Sequence, residues 1–234
     1  MKWTILWISL LVLSIVLMLW RKQPITMCRI QPPSYSTHIV VARYKENIEW
    51  TSLLPNMFLY NKGPDVDVPS IPLHNVGREG HTYYHHIVTH YDNLPDAIVF
   101  LQGNPFDHSP RLFDDLQMLF QKRARRFASL STHILSFDMI NATSWHENLH
   151  SYLYKLPAIP KHMGVHIYKK LFGVHPPLTS KKYKFGCGAQ FMVSKKAILR
   201  HPKSFYEKIV DLLSHSSNPV EGFVMERFHP LIFN

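Results

Sequence analysis

HNVGREGHTYYHHIVTHYDNLPDAIVFLQGNPFDHS, residues 74 to 109, decides how the rest of the chain is read. Tyr84, Ile87, Val88 and Tyr91 recur at i, i+3, i+4 and i+7, the one-sided apolar stripe of a helix. Asn75 stands where a side-chain oxygen would cap that helix, and Gly77 and Gly80 would let a ligand approach its backbone. Asp92-Asn93-Leu94-Pro95 ends the pattern, and residues 97–101 form an apolar run of strand length. That run leads into Gln102-Gly103-Asn104-Pro105, with Asp107 and His108 just beyond. A helix feeding a fully apolar strand predicts an α/β unit, and in open α/β sheets ligands bind beyond the carboxyl ends of the strands. Both polar loops are therefore expected at a site.

Working outward, residues 37–44 (THIVVARY) read as a strand rich in β-branched residues, followed by a short helix through Ile48, Trp50, Leu53 and Leu54. Residues 56–60 read as a second strand and 64–72 as a loop. Ser109-Pro110 starts a helix carried by Leu112, Leu116, Leu119, Phe120 and Phe127, with Asp114 and Asp115 early. Lys122, Arg123, Arg125 and Arg126 are expected to close it, as the helix dipole prefers. Residues 133–137 read as a strand, 138–180 as an irregular insert or active-site cover, and 185–193 as a strand or hairpin. A last clear helix spans residues 202–214, with Phe205, Tyr206, Ile209, Leu212 and Leu213 inward. The alternation predicts one α/β domain over residues 37–234 with a mostly parallel sheet flanked by helices.

Residues 3–20 are uncharged and apolar, with Trp3 and Trp20 at the two ends. That is just long enough for a transmembrane helix, and the run lacks the small-x-small site of a cleaved signal peptide. The reading is one N-terminal transmembrane signal anchor over residues 1–22 and an extended, proline-bearing stalk over 23–36. Lys2 against Arg21, Lys22 and Arg29 weakly favours, on charge alone, leaving the body in the cytoplasm, whereas Asn141-Ala142-Thr143 is a glycosylation acceptor useful only in a lumen. Cys28 and Cys187 make no disulfide framework.

The net charge of +10 is carried partly by the cluster at residues 122–126 and partly by Lys181, Lys182 and Lys184. No RNA- or DNA-binding motif accompanies it, so no nucleic-acid partner is expected. His146-Glu147-Asn148-Leu149-His150 matches the HExxH of zinc hydrolases, yet it sits in the irregular region without a clear third ligand and reads as incidental. His81 and His85, like His86 and His90, stand at i, i+4 on the central helix. Two-histidine metal binding is one reading; histidines on the solvated side of the helix are the expected one.

The convergence of loops at strand ends is more informative. Arg43 and Glu46 follow the first strand, Asn61 and Lys62 the second, Arg78 and Glu79 open the helix, and Gln102 and Asn104 follow the next strand. Cations there suit phosphates, and Asp107 and His108 offer oxygen and nitrogen donors for a divalent cation. Gly186-Cys187-Gly188 allows close approach of a ligand or another backbone. Glu221 and Glu226 are candidate general bases.

The blocks VVARYKENIEW, YNKG, NVGREGHTYYHHIVTHYDNLPDAIVFLQGNPFDH, GAQFMVSKKAILRHP-x-x-FY and EGFVMER-x-x-x-LIF resemble, in this order over residues 38 to 234, a domain-of-unknown-function family, number 3431. The layout is also similar to GT-A glycosyltransferases. That resemblance implies a GT-A-like (Rossmann-like) fold and transfer of a sugar from a nucleotide diphosphate sugar to a glycan or other hydroxyl acceptor. The donor would lie against Arg43, Glu46, Lys62, Asn75, Gly77, Arg78, Glu79, Gln102 and Asn104, and Asp107 with His108 would hold a divalent cation, Mn or Mg. Glu221 or Glu226 would deprotonate the acceptor. Anchor and stalk then suit a single-pass protein of the secretory pathway with a lumenal domain. One departure is plain: where such enzymes place Asp-x-Asp, this chain has Gln102-Gly103-Asn104. A non-catalytic carbohydrate-binding or scaffold protein of the same fold would suit that substitution.

Overall fold

A computed structural model describes residues 28–122, 126–137, 139, 162–177 and 182–234. Strand β1 (Thr37–Arg43) is central: β2 (Met57–Asn61) lies on one side and β4 (Ala97–Gln102) on the other, both parallel to it. Beyond β2 is the two-residue β3 (Ile71–Pro72), within the segment expected to be loop. Beyond β4 come β8 (Phe191–Ser194) and β5 (Phe127–Ser129), both joined antiparallel. The six-stranded order is β3-β2-β1-β4-β8-β5. A small second sheet pairs β6 (Ile134–Phe137) with β7 (Tyr183–Gly186). The fold is α/β with a mostly parallel main sheet.

Burial on both faces explains why the central strands read as unbroken apolar runs. Val40, Ala42, Ile98 and Phe100 face one core, under helices α1 (Arg78–His90), α5 (Lys203–Leu213) and α6 (Val220–Phe233). Ile39, Val41, Ala97, Val99 and Leu101 face the other, under Trp50 and helix α2 (Leu112–Phe120). All five residues expected to face inward from α5 are buried. The chain steps from β1 to β2 through a 3-10 turn on the Trp50 face, then returns through α1 on the opposite face to pair β4 with the other edge of β1. The winding therefore reverses at β1, and the loops leaving the carboxyl ends of β1 and β4 border a crevice, the position where open α/β sheets bind ligands.

Several expectations are corrected. Phe127 belongs to β5, paired with Val193, and not to the preceding helix, which ends at Phe120, so Lys122 and Arg126, the described members of the basic cluster, lie beyond the helix. Residues 163–172, assigned to an irregular insert, form helix α3 (Met163–Phe172), ended by Gly173 in the left-handed region. Residues 183–186 and 191–194 are strands of different sheets, separated by a turn. A four-residue helix α4 (Lys195–Ile198) follows β8, with Ser194 capping it. From residue 28 the expected stalk is docked on the domain: Ile30 is buried and donates to the Leu53 carbonyl, and Ser36 is bound to the Asp96 carboxylate. No helix among the described residues is long and apolar enough to cross a membrane. Residues 3–20, the acceptor triplet at Asn141 and the HExxH at 146–150 lie outside the described residues.

Candidate functional site

A recess of about 630 Å³ opens at the crevice between the ends of β1 and β4. Ala42 and Arg43 border it from β1, Lys62 from β2, Gln102 to Asn104 from β4, and Arg78 with Glu79 from α1. Each arrives there because parallel strands share one direction and α1 starts at the end where they finish.

The entry to α1 differs from expectation. Asn75 does not cap it; the cap position is Gly77, at φ 63°, and no side chain caps the helix. Arg78 follows at φ 52°, a left-handed conformation that disfavours a residue with a Cβ. Nor do the glycines admit a ligand. A Cβ on Gly77 would sit 2.8 Å from the Leu213 carbonyl oxygen, so that glycine lets α5 pack closely, whereas one on Gly80 would make an ordinary 3.4 Å contact with the Leu213 side chain. His81 and His86, expected in solvent, are buried.

Two of the expected phosphate-binding cations are engaged in holding loops. Arg43 donates from Nε to the Glu46 carbonyl and from Nη1 to Asn61 Oδ1 (2.7 Å), the Pro64 carbonyl (2.8 Å) and the Tyr44 carbonyl. Lys62 donates to the carbonyls of Val76 (2.6 Å) and Arg78 (2.5 Å), bracing the turn before α1. Burial pulls its ammonium down to about 8, against the opposing pull of Glu79. Glu46 accepts from the backbone N–H groups of Tyr44 and Lys45 and fills the space a Cβ on Gly103 would take. These residues shape the recess by fixing its rims.

Arg78 is held differently. Its guanidinium lies 4.3 Å from the Phe223 ring centroid, donates to Asn218 Oδ1 at 3.2 Å and stands 3.6 Å from the Glu79 carboxylate. About a third of its side chain remains exposed, so it presents charge to the recess. Exposed Asn75 lies on the rim, and Asn104 donates to Asp107 at 3.1 Å.

A second, smaller chamber of about 230 Å³ adjoins the first, sharing Arg78, Glu79 and Gln102 as its wall. Its far side carries His108, Cys187, Phe223 and Glu226. Glu226 accepts from the Gly188 N–H at 2.6 Å and lies 3.6 Å from Arg227, whose guanidinium packs over the Phe185 ring. Burial pushes the Glu226 carboxyl above the usual range, with Arg227 opposing and Glu79 reinforcing the shift. Gly188, at φ 84°, leaves room for the His108 ring, which a Cβ would meet at 2.4 Å. Glu221 borders neither chamber; it pairs with His215 at the start of α6.

Asp107 and His108 are adjacent in sequence but open on different chambers. Among the described residues, the group of three His, Cys, Asp or Glu side chains able to meet one ion lies elsewhere, at His38, His86 and His90. Sequence reasoning missed Asn218, Phe223 and Arg227. EGFVMER carried the last two, and the segment forms helix α6, which runs on to Phe233.

No curated protein and no solved structure matches the chain. A family model described as "protein of unknown function (DUF3431)" matches residues 39–234, nearly the whole described domain, and the chain belongs to that family.

Proposed function

We propose that the domain is a GT-A-like glycosyltransferase that binds a nucleotide diphosphate sugar across the β1–β4 crevice and passes the sugar to a hydroxyl acceptor, a glycan among them, in the smaller chamber. The observation that carries this reading is the shared wall: two chambers meet at Arg78, Glu79 and Gln102, with a largely buried carboxyl, Glu226, on the acceptor side. Arg78 offsets the charge of the diphosphate, and Glu79 orients Arg78 or a sugar hydroxyl. Glu226 takes the proton of the acceptor hydroxyl as its oxygen bonds to the anomeric carbon. The bond from that carbon to the diphosphate oxygen breaks, and the nucleoside diphosphate leaves with the electron pair, inverting the configuration. A raised carboxyl pKa suits a base that must work near neutrality. The residues present do not fit a resident Mn or Mg ion: Asp107 is exposed and tied to Asn104, and His108 faces the other chamber. Residues 3–20 would anchor the domain to a membrane of the secretory pathway, facing the lumen.

Calorimetry of the full chain with uridine and guanosine diphosphates, with and without manganese, tests the binding step. Saturable one-site binding that does not require manganese is expected. Absence of heat with both nucleotides in both conditions overturns the reading. A second reading, carbohydrate binding without catalysis, is favoured by Gln102 and Asn104 in place of the acidic pair; it expects sugar binding and no release of nucleoside diphosphate from any nucleotide sugar.

A further inference from the structure

At the other end of the sheet, remote from both chambers, three imidazoles converge. His38 is the second residue of β1, whereas His86 and His90 stand one turn apart near the end of α1. Since α1 starts at the recess with Arg78, His90 lies about 18 Å farther along its axis at 1.5 Å per residue. His86 is wholly buried; His38 and His90 are partly so. One ring nitrogen from each lies within 4.8 Å of the other two.

We propose that His38, His86 and His90 form a binding site for one divalent ion of the zinc type, clamping β1 to α1 at the amino ends of the strands. Zinc–imidazole bonds of about 2.0–2.1 Å set tetrahedral donors about 3.3–3.4 Å apart. His38 Nδ1 and His86 Nε2 are already 3.1 Å apart. The remaining separations close with a movement of the rings of at most about 1.4 Å.

The outer contacts favour the same outcome. His90 Nδ1 lies 3.0 Å from the His86 carbonyl, which can only accept, so Nδ1 carries the proton and Nε2 keeps its lone pair. His86 Nδ1 lies 2.9 Å from the Tyr60 hydroxyl, which can accept its proton and leave the Nε2 lone pair directed at His38. Metal-binding histidines are held in this way, with the second nitrogen donating to an oxygen. The Phe58 ring, 4.4 Å from His38 and 5.4 Å from His90 between centroids, gives the group an apolar side. Three imidazoles without a carboxylate or thiolate suit zinc, nickel or copper and not magnesium or calcium. His38 and His90 are both partly exposed, which leaves a fourth position to solvent.

The test uses the full chain, purified without a histidine tag, stripped with chelator and titrated with zinc against a chromophoric competitor; cobalt substitution gives a visible band diagnostic of tetrahedral nitrogen coordination. One equivalent of zinc is expected. His38→Ala and His90→Ala, both at partly exposed positions, should each weaken it at least about 100-fold, and Tyr60→Phe about ten- to a hundredfold, as for outer contacts of metal ligands. His86→Ala is the least informative because that ring is wholly buried; circular dichroism checks that every variant is folded. His146→Ala/His150→Ala should leave the equivalent unchanged. Absence of a stoichiometric site, unchanged affinity in both His38→Ala and His90→Ala, or loss only in the His146→Ala/His150→Ala variant overturns the proposal. None of these results bears on nucleotide binding at the recess.

Discussion

Replacing Arg78 separates a ligand contact from a structural pin, because its backbone and side chain make distinct contributions. The φ of 52° disfavours any residue with a Cβ by about 1–2 kcal/mol. Such strain persists where the surroundings impose it, and here Lys62 and Leu213 hold the turn. The side chain contributes one cation–π contact with Phe223, one hydrogen bond to Asn218 and a loose ion pair with Glu79. Discounted for partial exposure, these amount to about 1–2 kcal/mol. Arg78→Ala keeps the backbone strain and loses the contacts, so the melting temperature should fall by about 2–8 °C for a domain of this size. Arg78→Gly loses the same contacts but relieves the strain, and should melt about 2–4 °C above the alanine variant. If Arg78 contacts a diphosphate, both variants should bind uridine or guanosine diphosphate about 10- to 100-fold more weakly, the loss of one charge-assisted contact worth about 1.5–3 kcal/mol. Melting by calorimetry and titration on the same samples give both quantities. Unchanged affinity per folded molecule in both variants, whatever the melting shift, would refute the assignment of Arg78 to a ligand.

Other expectations use different parts of the molecule. Glu226→Gln retains an acceptor for the Gly188 N–H and removes a buried charge, so melting and nucleotide affinity should hold while sugar transfer, measured as nucleoside diphosphate release in the presence of acceptor, falls about 100-fold or more; undiminished transfer would exclude it as the base. Gly63→Ala places a Cβ 1.6 Å from the Tyr44 carbonyl oxygen and should cost about 2–3 kcal/mol or more, whereas Gly173→Ala, at φ 72° with nothing within 4 Å, should cost only about 1 kcal/mol in urea denaturation. Burial holds His86 at about 2 and His229 at about 3, both below 6.5, so below that pH the unfolded chain binds more protons than the folded one. Stability is then full above pH 6.5 and falls on acidification, by about 1.4 kcal/mol per pH unit for each histidine, a slope of about 3 kcal/mol per pH unit for the two between roughly pH 5.5 and 4. Urea titrations of metal-free chain across that range check the slope, and a flat profile would mean that these rings are not buried neutral.

What could be read from residue order, and what could not, divides along the range of the interactions involved. Residues 97–101 announce a strand because burial on both faces leaves no polar position between Ala97 and Leu101, a property of the segment alone. The α5 stripe is legible for the same reason. Phe127 misleads because it extends a helical spacing, while its partners on β8 lie more than sixty residues on. The same limit governs the site. Strand ends announce a recess, and the recess is there, yet which cation faces it depends on acceptors from other loops: Asn61 and Pro64 occupy Arg43, and the turn at Val76–Arg78 occupies Lys62. Gly77 looks like room for a ligand until Leu213 fills it. A pair of histidines one turn apart becomes a three-ligand group only when β1 brings His38 from 48 residues away. Local pattern therefore locates the recess to within a loop, and the tertiary hydrogen-bond network decides which side chain in that loop is left facing it.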